Sequence, residues 1–124
     1  MLKKIFIVED DTFLQGLEAT KLKKEGFDIL TAANGKEASD IIKKKEKFDL
    51  VLLDLLLPDM DGFEVLSIIK KEKTYENIPV IVFSNLSEDK DIKKAKSLGA
   101  SEFMVKSNFN LDELTQKVRE LVGK

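Results

Sequence analysis

Short apolar runs alternate along the whole chain with longer segments whose apolar positions recur every three or four residues. The runs are Lys4 to Val8, Phe27 to Ala32, Phe48 to Leu53, Val80 to Phe83 and Phe103 to Val105, and each has the length and side-chain type of a strand. Helical patterns lie between them. The first carries Phe13, Leu14, Leu17 and Leu22 and ends at Gly26; the second follows the Asn34-Gly35 turn with Ala38, Ile41 and Ile42 on one face and runs into Lys43, Lys44 and Lys45. The third follows Gly62 with Phe63, Val65, Leu66, Ile68 and Ile69; the fourth has a narrow stripe of Ile92, Ala95 and Leu98 among lysines and closes at Gly99; the fifth carries Leu114, Val118, Leu121 and Val122. Thr12 and Ser87 are candidate caps for the first and fourth helices, and Asn110 with Glu113 has the spacing of a capping box for the fifth. Five strands in strict alternation with five helices predict an α/β fold, a doubly wound five-stranded parallel sheet with right-handed crossovers.

The third run departs from the pattern in one place. Leu50 to Pro58 is apolar throughout except for Asp54. An unpaired carboxylate is costly to bury, so such a run must supply partners, a metal or access to water. Pro58 cannot donate to a strand ladder, and Asp59-Met60-Asp61-Gly62 has turn chemistry, so the strand stops near Leu53 and Asp54 opens into a loop. That is the edge at which open parallel sheets bind ligands.

The composition narrows the chemistry. With 124 residues the chain reads as one domain, residues 1–124, with no output domain after the fifth helix. Its 21 basic and 23 acidic side chains leave a net charge of -2, so nothing in the overall charge recruits nucleic acid or anionic lipid. Cysteine and histidine are both absent, which removes disulfides, thiolate catalysis and histidine bases. No apolar run approaches the roughly 20 residues of a membrane helix, and the start leads straight into a strand, so a cytoplasmic protein without a signal peptide is expected.

At the carboxyl ends of the predicted strands stand Glu9, Asp10 and Asp11, then Asp54, then Ser84 and Asn85, then Lys106. In a parallel sheet these ends share one rim. Carboxylates brought together repel one another, and the usual remedy is a hard divalent cation; Mg²⁺ suits a few carboxylate and carbonyl oxygens together with waters and a phosphate. Lys106 supplies a further positive charge. Asp11 reads as a helix cap, and the lysines of the second and fourth helices as solvated faces.

In order and spacing, Glu9-Asp10, the run from Asp54 to Pro58 followed by Asp61-Gly62, Ser84, Gly99-Ala100 and Lys106 resemble the receiver (CheY-like) domain of two-component response regulators, across essentially the whole chain. The resemblance implies strand order 2-1-3-4-5 and a signalling module in a His-to-Asp phosphorelay. Asp54 would accept a phosphoryl group from a histidine kinase, a histidine phosphotransfer protein or a small phosphodonor. Asp10, Asp54 and the backbone carbonyl of Leu56 would hold Mg²⁺, with Glu9 acting through a metal-bound water. Lys106 would neutralise charge, and Ser84 would bond a phosphoryl oxygen. The inward movement of Ser84 would let Phe103 turn in and alter the face of the fourth helix, fifth strand and fifth helix, where a downstream effector would dock. The resemblance implies no turnover beyond the protein's own phosphorylation and dephosphorylation, no direct nucleic acid or membrane partner, and a monomer or a phosphorylation-linked dimer.

Three features depart from the family pattern. Ser107 stands where proline usually follows the lysine, and its peptide bond to Lys106 is expected to be trans. Asn85 replaces a small residue, and Phe103 stands where tyrosine is common. The family also places the residues two beyond the acceptor and two beyond the hydroxyl beside the path of hydrolytic water; here they are Leu56 and Leu86, which cannot orient water. A flavodoxin-type phosphate loop would be rich in Ser, Thr and Gly after the first strand, where this chain has three acids, and no Walker loop surrounds Gly35-Lys36. A receiver-fold docking module that is never phosphorylated is the alternative reading.

Overall fold

The computed structural model describes residues 2–123. Five parallel strands, β1 (Lys4–Val8), β2 (Asp28–Ala32), β3 (Leu50–Leu53), β4 (Val80–Ser84) and β5 (Glu102–Val105), form one sheet in the order β2-β1-β3-β4-β5. The helices are α1 (Thr12–Lys24), α2 (Gly35–Lys43), α3 (Gly62–Lys71), α4 (Asp89–Ser97) and α5 (Leu111–Val122). Single 3-10 turns follow α3 (Lys73–Tyr75) and β5 (Lys106–Asn108).

Successive side chains of a strand point to opposite faces, so a sheet covered on both sides needs strands that are apolar at every position. Phe6, Val8, Val51, Leu53, Val80 and Val82 accordingly pack with Ala38, Ile42, Phe63, Leu66 and Ile69 of α2 and α3 and with Ala95 of α4. Ile5, Ile7, Leu50, Leu52, Ile81 and Phe83 pack on the other face with Leu22 of α1 and with Leu114 and Val118 of α5. Tyr75 is fully buried, stacks on Phe48 and donates its hydroxyl to the Glu46 carbonyl at 2.6 Å.

Local signals were mostly sound. The capping box of Asn110 and Glu113 is present, and Gly26 and Gly99 take φ of 95° and 107°, the left-handed values that glycine tolerates. Asp11 is the cap it was expected to be, accepting from the amides of Phe13 and Leu14, while Thr12 and Ser87, the other candidates, cap nothing, and Glu88 precedes α4. The inward face of α1 is the larger correction. Phe13 and Leu17 are exposed, and the inward stripe runs from half-buried Leu14 through buried Glu18 to buried Leu22. The i, i+4 spacing of that stripe brings a glutamate inside because α1 docks by the side that Leu22 occupies.

Candidate functional site

The register of the sheet assembles the rim. Val8 lies opposite Leu53, Leu53 opposite Val82, and Ser84 opposite Val105, so the residues that follow each strand emerge side by side. The Asp54 amide continues the ladder to the Val8 carbonyl at 3.0 Å. Beyond it the chain leaves the sheet and returns through an antiparallel bridge between Leu56 and Asp61, and the Gly62 amide closes the loop on the Leu55 carbonyl at 3.1 Å. A Cβ at Gly62 would stand 2.3 Å from the Leu55 Cα, so only glycine allows this closure.

Asp54 is 5% exposed and fully partnered. Its Oδ1 accepts from the Ser84 hydroxyl at 2.7 Å and from the Leu56 amide at 3.0 Å; its Oδ2 accepts from Lys106 Nζ at 2.7 Å. The same ammonium reaches Glu9 Oε1 at 2.6 Å, and Glu9 also accepts from the Asp11 amide. Lys106 therefore bridges two buried carboxylates. One oxygen from each of Glu9, Asp10 and Asp54 falls within 4.8 Å of the others, with Asp10 on the exposed side. This is a hard, anionic oxygen set on a partly open rim, and it fits Mg²⁺, which keeps several waters and takes few carboxylates.

The local field follows from burial and pairing. Burial pushes the Glu9 carboxyl above the ordinary carboxylate range; the Lys106 hydrogen bond and the Asp11 amide oppose it, and the neighbouring charge of Asp54 adds to it. Burial likewise works against the Lys106 ammonium, yet its hydrogen bonds to Asp54 and Glu9 prevail and hold its pKa above that of a free lysine.

Of the residues expected at the rim, Glu9, Asp10, Asp54, Ser84 and Lys106 come together there. Glu9 forms a direct ion pair with Lys106, and Ser84, completely buried, already donates to Asp54. No cis peptide bond occurs among the described residues, so the Lys106-Ser107 bond is trans. Phe103 is half-buried and packs against the cluster on the α2, α3 and α4 face. Three participants escaped sequence reasoning. Gln15 donates to the carbonyls of Glu9 and Ala32, Asp59 binds the start of α2, and Glu18 is buried with neither carboxylate oxygen hydrogen-bonded. Only Glu18 left a signal, a charge at i+4 from Leu14 and i−4 from Leu22.

Comparison with known proteins agrees with this geometry. Residues 5–119 match the response regulator receiver domain family. Sporulation initiation phosphotransferase F of Bacillus subtilis is 40% identical over 97% of this chain and 94% of its own length. Transcriptional regulatory protein CrdR of Helicobacter pylori is 37% identical over 96% of this chain but 54% of that protein, so the chain spans about half the length of this relative. A CheY-like receiver domain protein from Methanospirillum hungatei superposes with a TM-score of 0.92 at 29% identity, covering 99% of this chain and 95% of that one. With the strand order, the acidic rim and these matches in agreement, the chain belongs to the response regulator receiver domain family.

Proposed function

We propose that Asp54 is the phosphoacceptor of this two-component receiver domain. The observation that carries the assignment is the Asp54 carboxylate itself, buried at the sheet rim, bound by Lys106 and Ser84 and adjacent to Glu9 and Asp10. A carboxylate oxygen of Asp54 attacks the phosphorus of a partner's phosphohistidine; the new P–O bond forms as the P–N bond breaks, and its electron pair stays on the imidazole nitrogen. Phosphoryl transfer needs alignment and charge neutralisation more than covalent help. Lys106, fixed by Glu9, brings its ammonium to the reacting carboxylate, and Ser84 holds a hydroxyl ready for a phosphoryl oxygen. Glu9, Asp10, Asp54 and the Leu56 carbonyl would hold Mg²⁺, which neutralises phosphoryl charge when bound. Among the described residues no helix is long and apolar enough to cross a membrane, and we place the reaction in the cytoplasm.

A phosphodonor must reach Asp54 across the rim, where Phe13, Leu17, Leu56 and Phe109 are exposed. Those side chains supply the apolar contact for a histidine kinase or histidine phosphotransfer protein. Ser84 shifts its bond from Asp54 to the phosphoryl group, Phe103 repacks, and the α4, β5 and α5 face changes for an effector. The protein acts on no substrate other than its own Asp54. Incubation with a small phosphodonor and Mg²⁺, followed by intact-mass measurement, tests the assignment: one phosphoryl group is expected on the wild type and none on Asp54→Asn. A label that persists in Asp54→Asn refutes it.

A further inference from the structure

The three acids come from two loops, Glu9 and Asp10 from the one after β1 and Asp54 from the one after β3. Something must hold those loops at a fixed separation against their mutual repulsion. Lys106 does so by pairing with Glu9 of the one and Asp54 of the other. The β2–α2 turn touches both loops. Its Ala32 carbonyl accepts from the Glu9 amide at 3.0 Å and from Gln15 Nε2 at 3.2 Å, and Gln15 also holds the Glu9 carbonyl at 3.0 Å. The turn is thereby tied to the first loop. Its tie to the second is Asp59, 24 residues away in sequence, whose two carboxylate oxygens accept from the Gly35 amide at 2.8 Å and the Lys36 amide at 2.9 Å. Met60 fills the space beside Gly35, where a Cβ would stand 2.1 Å from its Cγ.

We propose that Asp59 is a positioning residue for the phosphoacceptor loop, bracing Leu56 and Asp54 against the β2–α2 turn and so setting their distance from Glu9 and Asp10. The inference rests on the assignment of Asp54 above. Mechanical continuity from Asp59 to Leu56 comes from the closed base of the loop: Leu56 bridges to Asp61, and the amides of Leu57 and Gly62 both donate to the Leu55 carbonyl. A loop so short and so closed transmits the position of its tip to its base. The Leu56 amide in turn holds Asp54 Oδ1. Capping of α2 alone does not account for Asp59, because the helix has its own cap: the Asn34 side chain accepts from the Glu37 amide at 2.8 Å, and Glu37 returns to the Ala33 amide at 2.8 Å.

The two roles separate in experiment. In metal-free protein, Asp59→Ala should accelerate hydrogen exchange of the Leu56 amide, and it should raise the Mg²⁺ dissociation constant, followed by amide chemical shifts, about tenfold, as loss of a group supporting metal ligands does. Asp59→Asn keeps one oxygen acceptor and should fall between. Asn34→Ala should lower the melting temperature while leaving Leu56 exchange and Mg²⁺ affinity at wild-type values. Unchanged Leu56 exchange in Asp59→Ala, or an equal change in Asn34→Ala, overturns the brace. If the wild type takes no label from a small phosphodonor, the role of Asp54 fails instead, and the exchange rates still judge Asp59 on their own.

Discussion

Glu18 is an ionisable group that the fold buries at a loss, and replacing it with leucine should stabilise the protein by an amount that grows with pH. The residue is 1% exposed on the inward stripe of α1, and neither of its oxygens has a hydrogen-bond partner. Burial raises its pKa from 4.5 to about 8; the charges of Glu9, Asp54 and Asp11 push the same way, and Lys106 pulls against them. Over that range the native state keeps a proton that the unfolded chain has released. Stability is therefore full below about pH 4.5, falls as pH rises and levels off above pH 8. With these two pKa values the penalty is about 1 kcal/mol at pH 5, about 3 kcal/mol at pH 7 and about 5 kcal/mol at pH 9. Glu18→Leu removes it and continues the stripe of Leu14 and Leu22. Urea unfolding of wild type and variant at the three pH values reads the gap directly, and the difference cancels titrating groups that do not interact with Glu18. A gap widening by about 4 kcal/mol from pH 5 to pH 9 is expected. A gap that stays constant would refute the reasoning and mean that Glu18 is solvated or paired in solution.

Two further substitutions probe the rim. Leu56 is half exposed beside the acceptor and neither it nor Leu86 can position water, so Leu56→Asn and Leu86→Glu should each speed loss of phosphate from the isolated phosphoprotein about tenfold, near 1.4 kcal/mol of barrier; decay unchanged or slower in both would point to Asn85 as the group that governs access. Lys106→Met leaves Glu9 and Asp54 buried without their shared cation, which should cost about 3–5 kcal/mol in urea unfolding. Millimolar Mg²⁺ should recover part of that loss, and no recovery would argue that the acids do not share a cation site.

Much of this protein is legible in the order of its residues because the signals are local. Predominantly apolar strands, alternating with amphipathic helices, leave few solutions other than a covered parallel sheet, and such a sheet sends the residues after its strands to one rim. That is why Glu9, Asp10, Asp54, Ser84 and Lys106 group together from sequence alone, and why Asn110 with Glu113 reads as a cap. Strand order was different: alternation alone does not choose β2-β1-β3-β4-β5, and the expectation came from resemblance. Other features belong to tertiary structure alone. The apolar residues of α1 spread around the helix, so its rotation was set by docking, which turned Phe13 and Leu17 outward and Glu18 inward. Lys106 answers both Glu9 and Asp54, and Asp59 reaches the amides of Gly35 and Lys36, because the loops that carry them meet in space. Periodicity reports which side chains share a face of one element; which face is buried, and which distant group satisfies a charge, depend on how the elements pack.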